Sequence, residues 1–178
     1  MSPFASRLRP TKNRPSRSSK PRAPRAAAAA AGPSGRLEDQ LCFAVYAASN
    51  AIGRAYAPLL RPLGLTYLQY LVVLVLLEHR ELAVGEIGTR LFLDSGTLTP
   101  VLRRLEAAGF ITRRRSAFDE REVRVGLTDA ARQIEPALDA VRAELACRMA
   151  LTAPAFAALR AQLHDLRAQI VAGTAGAA

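Results

Sequence analysis

The chain has 178 residues, half of them apolar, with 25 Lys/Arg against 15 Asp/Glu and a formal net charge of +10. That length suits one domain, or one domain with a tail, and the apolar share is enough for a core. A membrane span is not expected, because the longest apolar run, Leu63 to Leu77, is too short and carries Thr66 and Gln69.

The charge is unevenly placed. Residues 1–36 hold nine Lys/Arg and no Asp/Glu, whereas the other 142 residues hold sixteen basic and fifteen acidic groups. The high pI therefore belongs to the tail and does not by itself point to nucleic acid. Rich in Pro, Ser, Arg and Ala, residues 1–36 read as a disordered basic tail. An inert extension, a non-specific DNA-binding arm and an organellar transit peptide all fit this composition. The two cysteines, Cys42 and Cys147, have neither zinc spacing nor the density of a disulfide scaffold, and the two histidines lie far apart. No metal and no cofactor is expected.

A first helix is expected from Arg36 to Leu60, on the 3.6-residue recurrence of Leu41, Val45, Ala48 and Ile52. Thr66 then reads as the N-cap of a strongly apolar helix running to Glu78, central in the fold. A short helix spans Val84 to Leu91. After the turn Phe92-Leu93-Asp94-Ser95-Gly96 comes a second short helix, Thr97 to Ala107, ended by Gly109 in the left-handed conformation. Pro100 favours a cap near Gly96 or Thr97, since proline costs little in a first turn and about 3 kcal/mol further in; a cap at Asp94 or Ser95 would need a distorted first turn. Phe110–Arg115 and Glu122–Leu127 read as two strands joined by a polar tip. Thr128 caps a long helix from Asp129 to Met149, which Pro136 should kink or interrupt. Pro154 opens a last helix carrying Leu159, Leu163, Leu166 and Ile170.

Two short helices across a tight turn, followed by a basic hairpin, have the order of a winged helix-turn-helix. The predicted fold is mainly α with a small β wing, flanked by N- and C-terminal dimerisation helices. Its parts are the tail (1–36) and a domain (37–172), which divides into an outer helix (37–60), the reading head (66–127) and the closing helices (129–172). The second short helix fits a DNA major groove. It offers Ser95, Thr97, Thr99, Arg103 and Arg104 to phosphates and base edges. The wing adds Arg113, Arg114, Arg115, Arg121 and Arg124, with Asp119 placed to orient Arg121. The flanking amphipathic helices suit a two-fold homodimer on a two-fold symmetric double-stranded operator, with a larger monomeric helical domain as the alternative. A cytoplasmic location is expected.

A buried cysteine is usually core filler. Cys42, however, lies one helical turn from Tyr46, and all four tyrosines (Tyr46, Tyr56, Tyr67, Tyr70) fall between the first helix and the central one. Phenol hydroxyls donating to a thiolate favour its charged form, and the expected helix start near Arg36–Glu38 would add to that.

The segments Leu37-Glu38-Asp39-Gln40-Leu41-Cys42-Phe43-Ala44-Val45-Tyr46, Leu65-Thr66-Tyr67-Leu68-Gln69-Tyr70, Leu93-Asp94-Ser95-Gly96-Thr97-Leu98-Thr99-Pro100 and Phe118-Asp119-Glu120-Arg121 resemble the organic-hydroperoxide-sensing repressors of the MarR family. The resemblance covers residues 37–150 and leaves out the tail. It implies that Cys42 is the peroxide-reactive residue and that Tyr56 and Tyr67, supplied across a dimer, hydrogen-bond to it, with Tyr46 nearby. It also implies a resolving role for Cys147, as in the two-cysteine type, and repression of a peroxidase gene. An apolar pocket of Phe43, Tyr46 and Tyr70 would favour organic hydroperoxides as oxidants. A repressor released by a non-covalent aromatic ligand, and a thiol peroxidase, are the alternatives.

Overall fold

The computed structural model describes residues 35–115 and 122–175. The tail 1–34 and the hairpin tip, with Asp119 and Arg121, lie outside the described residues. Contacts divide the chain after Phe43, so the residues up to Phe43 and those from Ala44 onward are separate units.

The first α-helix begins later than the sequence reading placed it. Leu37–Asp39 make a single 3-10 turn, and Gln40 is extended with its N–H returning to the Leu37 carbonyl at 3.1 Å. That extended residue separates the turn from α1, Leu41–Leu60. Cys42 is therefore the second residue of the helix. Pro58 lies near its end, and Gly64 (φ +71) turns the chain toward the next helix.

Helix α2, Tyr67–Glu78, is capped as its sequence suggests. The Thr66 hydroxyl accepts from the Gln69 N–H at 3.4 Å, and the Gln69 side-chain carbonyl accepts from the Thr66 N–H at 2.8 Å. This reciprocal pair satisfies two of the free amides at the helix start and makes burial of Gln69 tolerable. Tyr70, Val72, Val73 and Leu76 are all at most 1 % exposed, so α2 is the axis of the core. Around it pack Leu60, Ile87, Leu98, Leu102, Leu105, Val125 and Leu138. Each such burial is worth about 1.5–3 kcal/mol relative to exposure.

Helices α3 (Val84–Leu91) and α4 (Ser95–Ala107) form the helix-turn-helix. The turn is tight: a Cβ on Gly88 would stand 2.8 Å from the Leu93 carbonyl oxygen, which accepts no such neighbour. Phe92 takes the left-handed conformation (φ +56), and Arg167 of the last helix lies over its ring at 3.8 Å. The expected cap at Gly96 or Thr97 is corrected: Asp94 caps α4. Its carboxylate accepts from the Thr97 N–H at 2.9 Å and from the Thr97 hydroxyl at 2.8 Å. These two bonds fix the cap two or three residues earlier and leave Pro100 inside the helix, where it removes one intrahelical bond. Gly109 (φ +76) ends α4 as expected.

The wing strands are β2 (Ile111–Arg115) and β3 (Val123–Leu127). A third strand, β1 (Glu81–Ala83), was not anticipated; the antiparallel order is β1-β3-β2. Thr128 caps only the four-residue helix α5, Asp129–Arg132. Pro136 does interrupt the pattern, and it does so by sitting in the first turn of a new helix, α6, Glu135–Met149. The last helix, α7, spans Ala153–Ala175 and buries none of its described side chains. Among the described residues no single helix is long and apolar enough to cross a membrane.

Candidate nucleic-acid interface and thiol sites

Helix α4 is amphipathic in a way that sorts its residues. Leu98, Leu102 and Leu105 are buried against the core, while Ser95, Thr97, Arg103 and Arg104 face solvent and Thr99 is half-buried. Two of its hydroxyl protons are already spent: Thr97 donates to Asp94, and Thr99 donates to the Ser95 carbonyl at 2.7 Å. Both threonines keep lone pairs for incoming donors, but neither hydroxyl is a free donor. The same Thr97 bonds hold the Asp94 carboxyl below the ordinary carboxylate range, the backbone N–H contributing most and the hydroxyl next.

The wing separates its arginines by strand alternation. Arg113 lies opposite Val125 on the core side, and Arg114 opposite Arg124 on the other. Arg113 binds Glu106 of α4 through Nε at 2.8 Å and through a terminal nitrogen at 2.5 Å. Arg124 meets Glu122 at 3.1 Å and Glu86 of α3 at 3.6 Å, and donates to the Glu81 carbonyl at 3.4 Å. Arg114 makes an exposed pair with Glu81 at 3.4 Å. Arg115, Arg103 and Arg104 are exposed and have no carboxylate partner among the described residues. A cleft of about 530 Å³ opens beside these pairs, lined by Val84, Gly85, Thr99, Arg113 and Glu122 among others. The sequence reading missed the four glutamates that hold the wing. Arg113 falling in phase with buried Ile111 was the available signal.

The two cysteines are both free and solvent-exposed. Cys42 is in the first turn of α1, and Cys147 is in the last turn of α6, where its carbonyl accepts the Ala150 N–H at 3.1 Å. Tyr46 is 64 % exposed, and Phe43 is half-buried.

The other three tyrosines come together. The rings of Tyr56 and Tyr67 stack at 4.7 Å between centroids, and Tyr70 lies 5.2 Å from Tyr56 and 6.2 Å from Tyr67. Tyr70 is 1 % exposed and belongs to the core. Burial first, and then the neighbouring Tyr70 hydroxyl, push the Tyr56 phenol up to about 12, with Arg142 pulling it back. Burial and then Tyr56 raise Tyr67 as well. Among the described residues no group of three or more His, Cys, Asp or Glu could hold a metal ion.

A capped helix-turn-helix, a basic face on its second helix and a hairpin braced beside it define a winged helix-turn-helix DNA-binding head. Residues 54–138 match the family described as transcriptional regulator SarA/Rot. Over 103 residues the chain is 59 % identical to the HTH-type transcriptional regulator TtmR of Methylorubrum extorquens, an alignment covering 58 % of this chain and only 53 % of TtmR. Over 105 residues it is 52 % identical to the organic hydroperoxide resistance transcriptional regulator of Bacillus subtilis, covering 58 % of this chain and 71 % of that protein. The structure of reduced AbfR bound to DNA superposes with a TM-score of 0.66 at 33 % identity, covering 77 % of this chain and 96 % of that one. The chain belongs to the MarR family of winged helix-turn-helix transcriptional regulators, in the redox-sensing branch of the Bacillus subtilis regulator and AbfR.

Proposed function

We propose that the chain is a homodimeric DNA-binding repressor that senses organic hydroperoxides through Cys42 and resolves the oxidised state with Cys147 of a second copy. The observation that carries this reading is the solvent exposure of both free thiols. Buried structural cysteines are inert, and a sensing thiol needs access to its oxidant. The likeness to the Bacillus subtilis organic hydroperoxide resistance regulator supports the choice of oxidant.

The chemistry proceeds in two steps. The Cys42 thiolate attacks the terminal peroxide oxygen, the O–O bond breaks, and the alkoxide leaves as an alcohol after taking a proton. Cys42 is left as a sulfenic acid, oxidised by two electrons while the peroxide is reduced by two. The Cys147 thiolate then attacks the Cys42 sulfur and displaces hydroxide, which leaves as water. The disulfide needs Cα atoms within about 7 Å. Drawing α1 of one copy to the end of α6 of another alters the spacing of the two reading heads, and so releases DNA.

Dimerisation has its own support. Among the described side chains of α7, Leu166 alone is not exposed, and Phe156, Leu159, Leu163 and Ile170 lie open to solvent. A second copy covers such a stripe.

The test is a gel shift on DNA upstream of the protein's own gene, before and after cumene hydroperoxide. Cys42→Ser should bind DNA like the wild type and stay bound under peroxide. Cys147→Ser should form the sulfenic acid but no disulfide-linked dimer on a non-reducing gel. Release of Cys42→Ser by peroxide would overturn the reading. A second reading, release by a non-covalent aromatic ligand, draws on an apolar cleft of about 390 Å³ whose walls include Ile52, Phe92, Leu159 and Leu163. It predicts release of Cys42→Ser by that ligand alone.

A further inference from the structure

Basic wing residues are expected to meet phosphate, yet two of them, one on each face of the sheet, lie against carboxylates of the chain itself. We propose that Arg113 and Arg124 are positioning residues that brace the wing against the two helices of the reading head, leaving the DNA phosphates to Arg103, Arg104 and Arg115. This rests on the DNA-binding reading above.

Arg113 occupies the core side of β2, opposite Val125, and its side chain is only 29 % exposed. Two of its nitrogens converge on one oxygen of Glu106, in the last turn of α4. A charge-assisted contact of this kind fixes direction as well as distance. It ties the outgoing wing strand to the helix expected in the groove.

Arg124 is held more loosely toward α3, from the opposite face of the sheet: its hydrogen bonds go to Glu122 and the Glu81 carbonyl, and Glu86 of α3 stands 3.6 Å away. The Glu86 carboxylate also accepts the Ala83 N–H at 2.7 Å and so caps the first turn of α3. Each helix of the head therefore has one arginine from the wing.

Charge balance argues against a phosphate role for either. Arg113 with Glu106 is neutral, and Arg124 with Glu86 and Glu122 is net negative. A phosphate approaching these arginines meets carboxylates already at hydrogen-bonding range. Arg114 is different: its side chain is 74 % exposed, so its pair with Glu81 is worth little.

The test combines salt dependence with coupling. Binding of a fluorescein-labelled duplex from the upstream region is followed by anisotropy across a salt series. A lost phosphate contact lowers the slope of log K against log salt by about 0.9. Arg103→Gln, Arg104→Gln and Arg115→Gln should each lower it so. Arg113→Gln and Arg124→Gln should leave it at the wild-type value while weakening binding about 3- to 10-fold. Glu106→Gln should weaken binding to the same extent as Arg113→Gln, and the double variant no further. A slope reduced by Arg113→Gln, or tighter binding by Glu106→Gln, overturns the proposal.

The brace is also read without DNA. In urea, the Arg113→Gln/Glu106→Gln pair should unfold at the same midpoint as either single variant, and additive losses would reject it. Wild-type protein that binds no duplex would sink the repressor reading, with the urea cycle still deciding the brace.

Discussion

In α2 the side chains of Tyr70, Val72, Val73 and Leu76 are at most 1 % exposed, whereas in α7 Phe156, Leu159, Leu163 and Ile170 remain 42–58 % exposed. Both helices are apolar. The first finds its neighbours within this chain: α3, α4 and β3 close around it. The second finds almost none. The core of the head is thus completed within the chain, with Leu60 of α1 and Leu138 of α6 added to it, and the closing helix is built for a surface that another molecule supplies. Burial, rather than helix-forming tendency, separates the two.

Introducing charge into the α7 stripe should have the largest effect. Leu159→Asp combined with Leu163→Asp should turn the dimer into a monomer at micromolar concentration in sedimentation, and make thermal stability independent of protein concentration. A dimer unchanged by both substitutions would break the comparison. Within the head, Leu102→Ala should cost about 2–5 kcal/mol in urea unfolding, through lost contacts and the cavity left behind. A loss well under that would mean the α4 packing relaxes freely. Thr66→Ala should cost about 1 kcal/mol, by removing half of the reciprocal cap on α2.

The smallest effect is confined to alkaline solution. The Tyr56 phenol is raised to about 12 in the folded chain, against about 10 when unfolded. The stability tied to its protonated form is complete below about pH 10 and is lost as pH rises toward 12. Tyr56→Phe keeps a ring against Tyr67 and should flatten that alkaline decline. In the wild type, tyrosinate absorbance should show late ionisation from Tyr56 and Tyr67. Ordinary titration of every tyrosine would contradict the closed aromatic cluster.

Much of the head was legible because its signals are local. The Thr66 cap before α2 and Gly109 after α4 each act within one helical turn, as do, beyond the head, the Thr128 cap and the break at Pro136. What was not legible depends on distant partners. β1 has three residues, too few for alternation, and is a strand only because Leu82 pairs with Val125. The pairing of Arg113 with Glu106, and the approach of Arg124 to Glu86, join different elements and leave no local signal of the partner. The Asp94 cap was the disfavoured alternative for a different reason: Pro100 argued for a later start, and two bonds to Thr97 outweigh it. The site residues divide the same way. The basic face of α4 follows from its period, whereas the meeting of Tyr56, Tyr67 and Tyr70 requires α1 and α2 to be packed.

The strand order β1-β3-β2 also has a bearing on synthesis. β3 is the middle strand of the sheet but the last to be made, so β1 must wait for residues 123–127 before it has a partner. Translation at about 5–20 residues per second makes that delay several seconds. The helix-turn-helix, residues 84–107, is made within that interval and can begin local folding before it ends, while Glu81–Ala83 is an unpaired edge. The nascent chain thus acquires α4 before it acquires the strand that completes the wing, and a chain ending before Val123 should form no β1–β3 or β2–β3 pairing.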